Sequence, residues 1–126
     1  MKRDQIKITL IDDEVDLCVL LSGMLRAQGF KVSYYHDLET GLPGIRRDQP
    51  DWVIIDNNLP DGLGWPRVSE IIDTVPGVNV IKISANPDSI RESHRDFIHY
   101  LIKPINVNSI VKLITRVKDT RGSNPG

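Results

Sequence analysis

The sequence predicts an α/β fold in which helices cover both faces of a parallel five-stranded sheet. Val53–Ile55 form a continuous apolar run, which is typical of a strand buried on both faces of a parallel sheet. Strand-like segments alternate along the chain with segments whose apolar residues recur every three or four positions. With 126 residues, the chain has room for one domain with its own core, but not for a second.

The predicted strands are apolar or alternating runs that end at polar residues. They are Ile6–Ile11, Phe30–Tyr34, Val53–Ile55, Val78–Ile83 and Ile98–Ile102. Helix-compatible segments lie between them, which leaves only short connecting loops. The predicted architecture is therefore strand and helix in strict alternation, with five of each.

Three of the five predicted helices carry a clear apolar stripe at helical spacing. They lie in Val15–Gln28, Trp65–Val75 and Val107–Val117. The helix within Leu38–Gln49 is expected to be short or irregular, because Gly41, Pro43 and Gly44 disfavour helix. The helix from Pro87 to Asp96 is expected to pack loosely, because Ile90 is nearly its only apolar anchor.

The composition is that of an ordinary globular protein. Hydrophobic residues make up 40% and charged residues 26%, and the net charge of -1 disfavours direct binding of nucleic acid. Cys18, the single cysteine, lies in an apolar helical pattern and rules out an intrachain disulfide. No apolar run approaches the roughly 20 residues of a membrane span, so a cytoplasmic protein without a membrane contact is predicted.

The chain is expected to divide into one domain, residues 1–119, and a short tail, residues 120–126. The tail is polar and rich in glycine and proline, which predicts disorder or the start of a linker.

Polar side chains follow four of the predicted strands. They are Asp12 and Asp13, Asp56, Ser84 and Lys103. Each has an ordinary explanation alone: Asp13 could cap the first helix, and Ser84 could be a loop residue. However, parallel strands deliver these side chains to one edge of the sheet. Three carboxylates there favour a hard divalent cation such as Mg²⁺, and with a lysine and a hydroxyl they fit phosphoryl chemistry on a carboxylate nucleophile.

The same residues resemble the motifs of the receiver domain of bacterial two-component response regulators, and the resemblance covers Lys7 to about Asp119. The matching segments are Asp12-Asp13, Asp56-Asn57-Asn58-Leu59-Pro60 with Gly64, Ser84-Ala85, Tyr100, and Lys103-Pro104, whose peptide bond is usually cis in the family. Their order and spacing are compatible with the family throughout. The departures are Ser84, where threonine is commoner, and the Gly41–Gly44 stretch in the second helix.

The resemblance implies a flavodoxin-like, doubly wound sheet with strand order 2-1-3-4-5. It also implies that Asp56 accepts a phosphoryl group from a sensor histidine kinase or a histidine phosphotransfer protein. Asp13, Asp56 and the backbone carbonyl of Asn58 would bind Mg²⁺ directly, with Asp12 acting through water. Such a domain is a signalling module, catalysing only its own phosphoryl transfer and hydrolysis.

The resemblance further implies a switch. Lys103 would bridge to Asp56 and then to the phosphoryl group, while Ser84 would move to bond it and Tyr100 would turn inward. The polar fourth helix, the fifth strand and the last helix would then contact a downstream effector protein or domain. Phosphorylation-dependent homodimerisation is left open.

Two alternatives are weighed against this hypothesis. A haloacid-dehalogenase-type phosphatase also uses an aspartate nucleophile and Mg²⁺, but it requires Asp-x-Asp after its first strand, which Asp12-Asp13-Glu14 does not supply. A receiver-like interaction module that never carries phosphate would not need the acidic pair, Asp56 and Lys103 together.

Overall fold

A computed structural model describes residues 5–90 and 95–122, and its centre is a five-stranded parallel sheet. The seven strands are β1 (Lys7–Ile11), β2 (Lys31–Tyr35), β3 (Trp52–Asp56), β4 (Asn58–Leu59), β5 (Gly62–Leu63), β6 (Asn79–Ser84) and β7 (Ile98–Ile102). β4 and β5 form a separate antiparallel ribbon, and the sheet has the order β2-β1-β3-β6-β7. Counted without the ribbon, this is the predicted order 2-1-3-4-5, and the parallel sheet is confirmed.

Helices pack on both faces of the sheet. They are α1 (Val15–Ala27), α2 (Leu38–Asp48), α3 (Val68–Thr74) and α4 (Val107–Gly122). One apolar cluster joins α1 and α4 to the sheet, and a second joins α2 and α3 to its other face. Each fully buried aliphatic side chain contributes roughly 1.5–3 kcal/mol, so these two clusters stabilise the layers. None of the helices in the described part of the chain combines the length and apolarity needed to cross a bilayer.

The prediction of five helices is wrong for the described residues, which form four α-helices. In the segment expected to form the fourth of five, Pro87–Ser89 make a 3-10 turn and Ile90 has extended backbone, with ψ 128°. Residues 91–94 of that segment lie outside the described residues. Ile90, nearly the only apolar anchor of the segment, is 38% exposed, so it is only partly buried.

The expected irregularity of the second helix is not found. α2 is a continuous helix of 11 residues with Pro43 inside it. Its glycines lie against the sheet: a Cβ on Gly41 would lie 2.7 Å from Cδ1 of Ile11, and one on Gly44 would overlap the ring of Tyr35. Close packing on β1 and β2 therefore outweighs the weak helix propensity of glycine.

The amino end of α2 is capped by two aspartates. Asp37 accepts a hydrogen bond from the backbone N–H of Thr40. Asp61, in the turn between β4 and β5, accepts from Leu38 N at 2.9 Å and from Glu39 N at 2.8 Å. These two bonds hold the pKa of Asp61 below its ordinary value, and the bond from Leu38 has the larger effect. The carboxylate thus ties the loop after β3 to α2.

Asp61→Asn is expected to lower the thermal unfolding midpoint at pH 7, because it removes the charge and one of the two acceptor oxygens. Folding lowers the pKa of Asp61. The stability that its carboxylate contributes is therefore complete above the pKa of the unfolded state and is lost as the pH falls through the pKa of the folded state. The difference between wild type and variant, followed by circular dichroism, should therefore shrink below about pH 4. Asp73→Asn, an exposed site on α3, is the control. A difference that is constant down to pH 2.5 would contradict this role.

The predicted boundary at residue 119 remains a prediction. α4 continues to Gly122, and the rest of the expected tail, residues 123–126, lies outside the described residues.

Candidate functional site

The carboxyl ends of the parallel strands meet at one edge of the sheet, as predicted. Asp12 follows β1, Asp56 ends β3, Ser84 ends β6 and Lys103 follows β7. Because β1, β3, β6 and β7 are neighbours in register, these four residues lie at the same edge of the sheet.

Three carboxylates form the floor and rim of this site. Asp12, Asp13 and Asp56 each place an oxygen within 4.8 Å of the others. Asp12 is 0% exposed and Asp56 5% exposed, whereas Asp13 is exposed. The cluster is therefore buried on one side and open to solvent on the other.

The ammonium of Lys103 lies among the carboxylates. Its Nζ is 2.8 Å from Oε2 of Glu14, 3.0 Å from Oδ2 of Asp12 and 3.3 Å from Oδ2 of Asp56. Burial lowers the pKa of Lys103, but Glu14, Asp12 and Asp56 raise it by more, so the group stays protonated. Burial raises the pKa of Asp12, and the Glu14 N–H and Lys103 oppose this shift. Lys103 thus balances part of the negative charge of Asp12, Glu14 and Asp56.

Glu14 is a member of the site that the sequence analysis did not identify. No local pattern in the sequence indicates a contact between Glu14 and Lys103, which is 89 positions away. Glu14 is also the N-cap residue of α1, although its side chain makes no capping bond. The suggested N-cap role of Asp13 is therefore wrong. Instead, Oδ1 of Asp12 accepts from Glu14 N at 2.9 Å, which leaves the Asp13 carboxylate exposed at the rim.

The backbone of Asp12 is fixed by its neighbours. Its carbonyl oxygen accepts from Sγ of Cys18 at 3.3 Å and lies 3.0 Å from Nδ1 of His36. Burial, and then the charge of Asp12, raise the pKa of the Cys18 thiol to about 12. Cys18 is therefore a buried neutral group that holds the backbone of Asp12 in place.

The loop after Asp56 is held in a tight shape. Asn57 accepts two hydrogen bonds, one at its carbonyl from Gly64 N at 2.8 Å and one at Oδ1 from Trp65 N at 3.1 Å. A Cβ on Gly64 would overlap the carbonyl oxygen of Asp56, so only glycine fits there. Asn58 is exposed at the start of β4, two residues from Asp56.

Ser84 and Tyr100 occupy neighbouring strands. Oγ of Ser84 accepts from Asn86 N at 3.0 Å, and its carbonyl accepts from Lys103 N at 2.8 Å. Tyr100 is half-buried, and its ring meets Trp65 edge-on at 5.7 Å. The Lys103–Pro104 bond is cis, as the resemblance implies.

The residues present fit a divalent cation. The ligand atoms of Asp12, Asp13 and Asp56 are carboxylate oxygens, which Mg²⁺ prefers. Oδ2 of the buried Asp12 accepts no hydrogen bond of normal geometry from the described residues, although the Lys103 ammonium is its charge partner. A water molecule on a bound cation would supply the missing hydrogen bond to such an oxygen. The cluster therefore meets the chemical requirement for Mg²⁺.

Comparison with known proteins agrees with this geometry. A family model described as the response regulator receiver domain matches residues 8–115. The DNA-binding response regulator MtrA of Mycolicibacterium paratuberculosis is 28% identical over 110 residues, which cover 83% of this chain and 48% of MtrA. The transcriptional regulatory protein ZraR of Escherichia coli is 25% identical over 113 residues, covering 87% of this chain and 26% of ZraR. The chain thus spans about half the length of these relatives, or less.

Solved structures share the fold. A two-component response regulator from Clostridium difficile superposes with a TM-score of 0.80 at 23% identity, over 94% of this chain and 100% of that one. A CheY-like receiver domain from Methylobacillus flagellatus gives 0.78 at 20% identity, over 90% and 99%. Because the family model matches residues 8–115, which is most of its length, the chain belongs to the response regulator receiver domains.

Proposed function

We propose that Asp56 of this receiver domain accepts a phosphoryl group from a histidine of a sensor kinase or a phosphotransfer protein. The observation that supports this most strongly is the Lys103 ammonium, 3.3 Å from Asp56 and in contact with Asp12 and Glu14 at the same strand edge. A carboxylate nucleophile beside a cation is an arrangement that suits phosphoryl transfer.

In the proposed reaction, a carboxylate oxygen of Asp56 attacks the phosphorus of the phosphohistidine. The new P–O bond forms as the P–N bond breaks, and the electron pair of that bond returns to the imidazole nitrogen, which takes up a proton. The product is an acyl phosphate on Asp56. Lys103 offsets the charge of the phosphoryl oxygens, because its ammonium can turn from the carboxylates towards them.

Mg²⁺ is part of the proposal. Asp13, Asp56 and the backbone carbonyl of Asn58 would hold it directly, and Asp12 would act through water. When bound, the cation supplies charge neutralisation to the phosphoryl oxygens. Asp12 and Asp56 are held nearly free of solvent by the sheet, so their positions need little rearrangement on binding.

The proposed switch begins at Ser84. Its hydroxyl, which now accepts from Asn86 N, would rotate to donate to a phosphoryl oxygen. This movement frees space beside β7, so Tyr100 can turn inward and change the surface of β7 and α4. An effector protein or domain would contact that surface.

The setting of the domain is also proposed. It would act in the cytoplasm as a unit of residues 1–119, with no direct role in nucleic-acid binding, and phosphorylation could be coupled to homodimerisation.

The upstream partner needs a surface next to Asp56. α1 offers one, since Val15, Val19, Leu20 and Met24 are exposed apolar side chains on a helix that starts at the site.

The direct test is incubation with a small donor, such as acetyl phosphate, and Mg²⁺. Intact-protein mass spectrometry should show the gain of one phosphoryl group, because the protein itself supplies the nucleophile, Asp56, and the ammonium of Lys103. The gain should require a divalent cation and be reversed by hydroxylamine, as for an acyl phosphate. A modification that forms equally in EDTA, or that resists hydroxylamine, would count against this function.

A further inference from the structure

Lys82 is a lysine in the middle of an interior strand, β6. It is half-buried, and no hydrogen bond or ion pair of its ammonium is found among residues 5–90 and 95–122. Instead, Nζ lies 5.5 Å from the ring centroid of Trp65 and 5.5 Å from that of Tyr100. The cation is therefore placed against two aromatic rings, both within the range of cation–π attraction.

The register of the sheet places Lys82 beside the proposed switch residues. It pairs with Ile55 in β3 and with Tyr100 in β7. Ser84 is two residues further along β6, so it lies on the same face of the sheet. Lys82 is thus the neighbour of both Ser84 and Tyr100.

Trp65 connects this cluster to the loop that carries Asp56. Its backbone N–H donates to Oδ1 of Asn57 at 3.1 Å, and its indole Nε1 donates to the carbonyl of Ile55 at 3.3 Å. Asn57 and Ile55 are the residues on either side of Asp56. A change in the backbone around Asp56 would therefore move Trp65, and with it the contact to Lys82 and Tyr100.

From these contacts we infer that Lys82 is a positioning residue which, with Trp65, holds Tyr100 in the orientation seen here and so restrains the switch. The attraction exists only while the Tyr100 ring lies near the ammonium. Loss of this attraction should therefore shift the equilibrium between Tyr100 orientations by about two- to fivefold. The effect on switching rests on the proposed function of Asp56, whereas the positioning of Tyr100 does not.

The first test uses the unphosphorylated protein. In NMR spectra, the ε-methylene protons of Lys82 should be shifted upfield by the two rings, and each of Trp65→Leu and Tyr100→Leu should remove part of the shift. Lys112, exposed on α4, is the internal control and should resonate near the value of a free lysine. A Lys82 resonance as unshifted as that of Lys112 would overturn the inference.

The second test separates charge from packing. Lys82→Met keeps the length of the side chain without its charge, whereas Lys82→Arg keeps a cation that stacks on aromatic rings. NOEs between the Tyr100 and Trp65 rings should weaken in Lys82→Met and return in Lys82→Arg. Equal effects of the two substitutions would mean that the residue serves only packing, and would overturn the inference.

The third measurement links the cluster to signalling. With acetyl phosphate and Mg²⁺, Lys82→Met should be phosphorylated two- to fivefold faster than wild type, while Lys82→Arg and the control Lys112→Met should match wild type. An unchanged rate in Lys82→Met, in a protein that is phosphorylated, would contradict the restraint on the switch. If wild type is not phosphorylated, the proposed function fails, and the NMR result still decides the positioning role.

Discussion

Asp56→Asn is expected to abolish the gain of a phosphoryl group from a small donor. The amide has no nucleophilic oxygen comparable with a carboxylate, and it also removes one of the three negative charges of the cluster. Asn and Asp have nearly the same shape, so the packing at the end of β3 should be kept. Because Lys103 keeps its contacts with Asp12 and Glu14, the fold should not depend on this charge.

The measurement is intact-protein mass spectrometry over a time course with acetyl phosphate and Mg²⁺. Thermal unfolding should show that Asp56→Asn is folded. Asp73→Asn makes the same chemical change on the exposed surface of α3 and should be phosphorylated like wild type. If Asp56→Asn still gains a phosphoryl group at the wild-type rate, another residue is the acceptor.

Asp13→Asn is expected to weaken divalent-cation binding by at least about tenfold, and by up to about a hundredfold. These factors are those found when residues that only support metal ligands are removed, and a direct ligand should matter at least as much. Asp13 is the exposed member of the cluster, so its replacement leaves the buried contacts of Asp12 and Asp56 in place. The loss should therefore appear in affinity and not in stability.

Titration of Mn²⁺, followed by the EPR signal of the free ion, gives this affinity without any phosphoryl transfer. Asp16→Asn is the matched control. Like Asp13, Asp16 is an exposed acid, but it lies in the first turn of α1 and is not in the cluster. Equal affinities for Asp13→Asn and Asp16→Asn would show that general surface charge, not ligation by Asp13, attracts the cation. The proposed set of metal ligands would then have to be revised.

The site was predictable to the extent that it depends on strand ends. Asp12, Asp56, Ser84 and Lys103 each follow an apolar run, and parallel strands bring such positions to one edge whatever the details of the packing. Glu14 was missed because its contact with Lys103 depends on the path of the chain into α1, which local pattern does not specify.

The errors in the fold have the same origin. Gly41 and Gly44 argue against a helix when propensity alone is considered, but they permit the close approach of α2 to Ile11 and Tyr35. Pro87–Asp96 was predicted as a helix from residue types that tolerate one. Ile90 is only partly buried, so it anchors a helix weakly, and the described part of the segment takes another shape.

By itself, the sequence determined the α/β architecture, the positions of the five parallel strands along the chain and the edge of the sheet at which the acidic pair, Asp56 and Lys103 meet. These follow from hydrophobic periodicity and from the polarity of parallel strands, which are properties of neighbouring residues. Only the tertiary structure decided which carboxylates contact Lys103. It also decided that Asp61 caps α2, whose Leu38 and Glu39 lie 23 and 22 residues before it, and that Lys82 lies against the rings of Trp65 and Tyr100. These contacts join residues distant in sequence, and their distances are set by how helices and loops pack on the sheet.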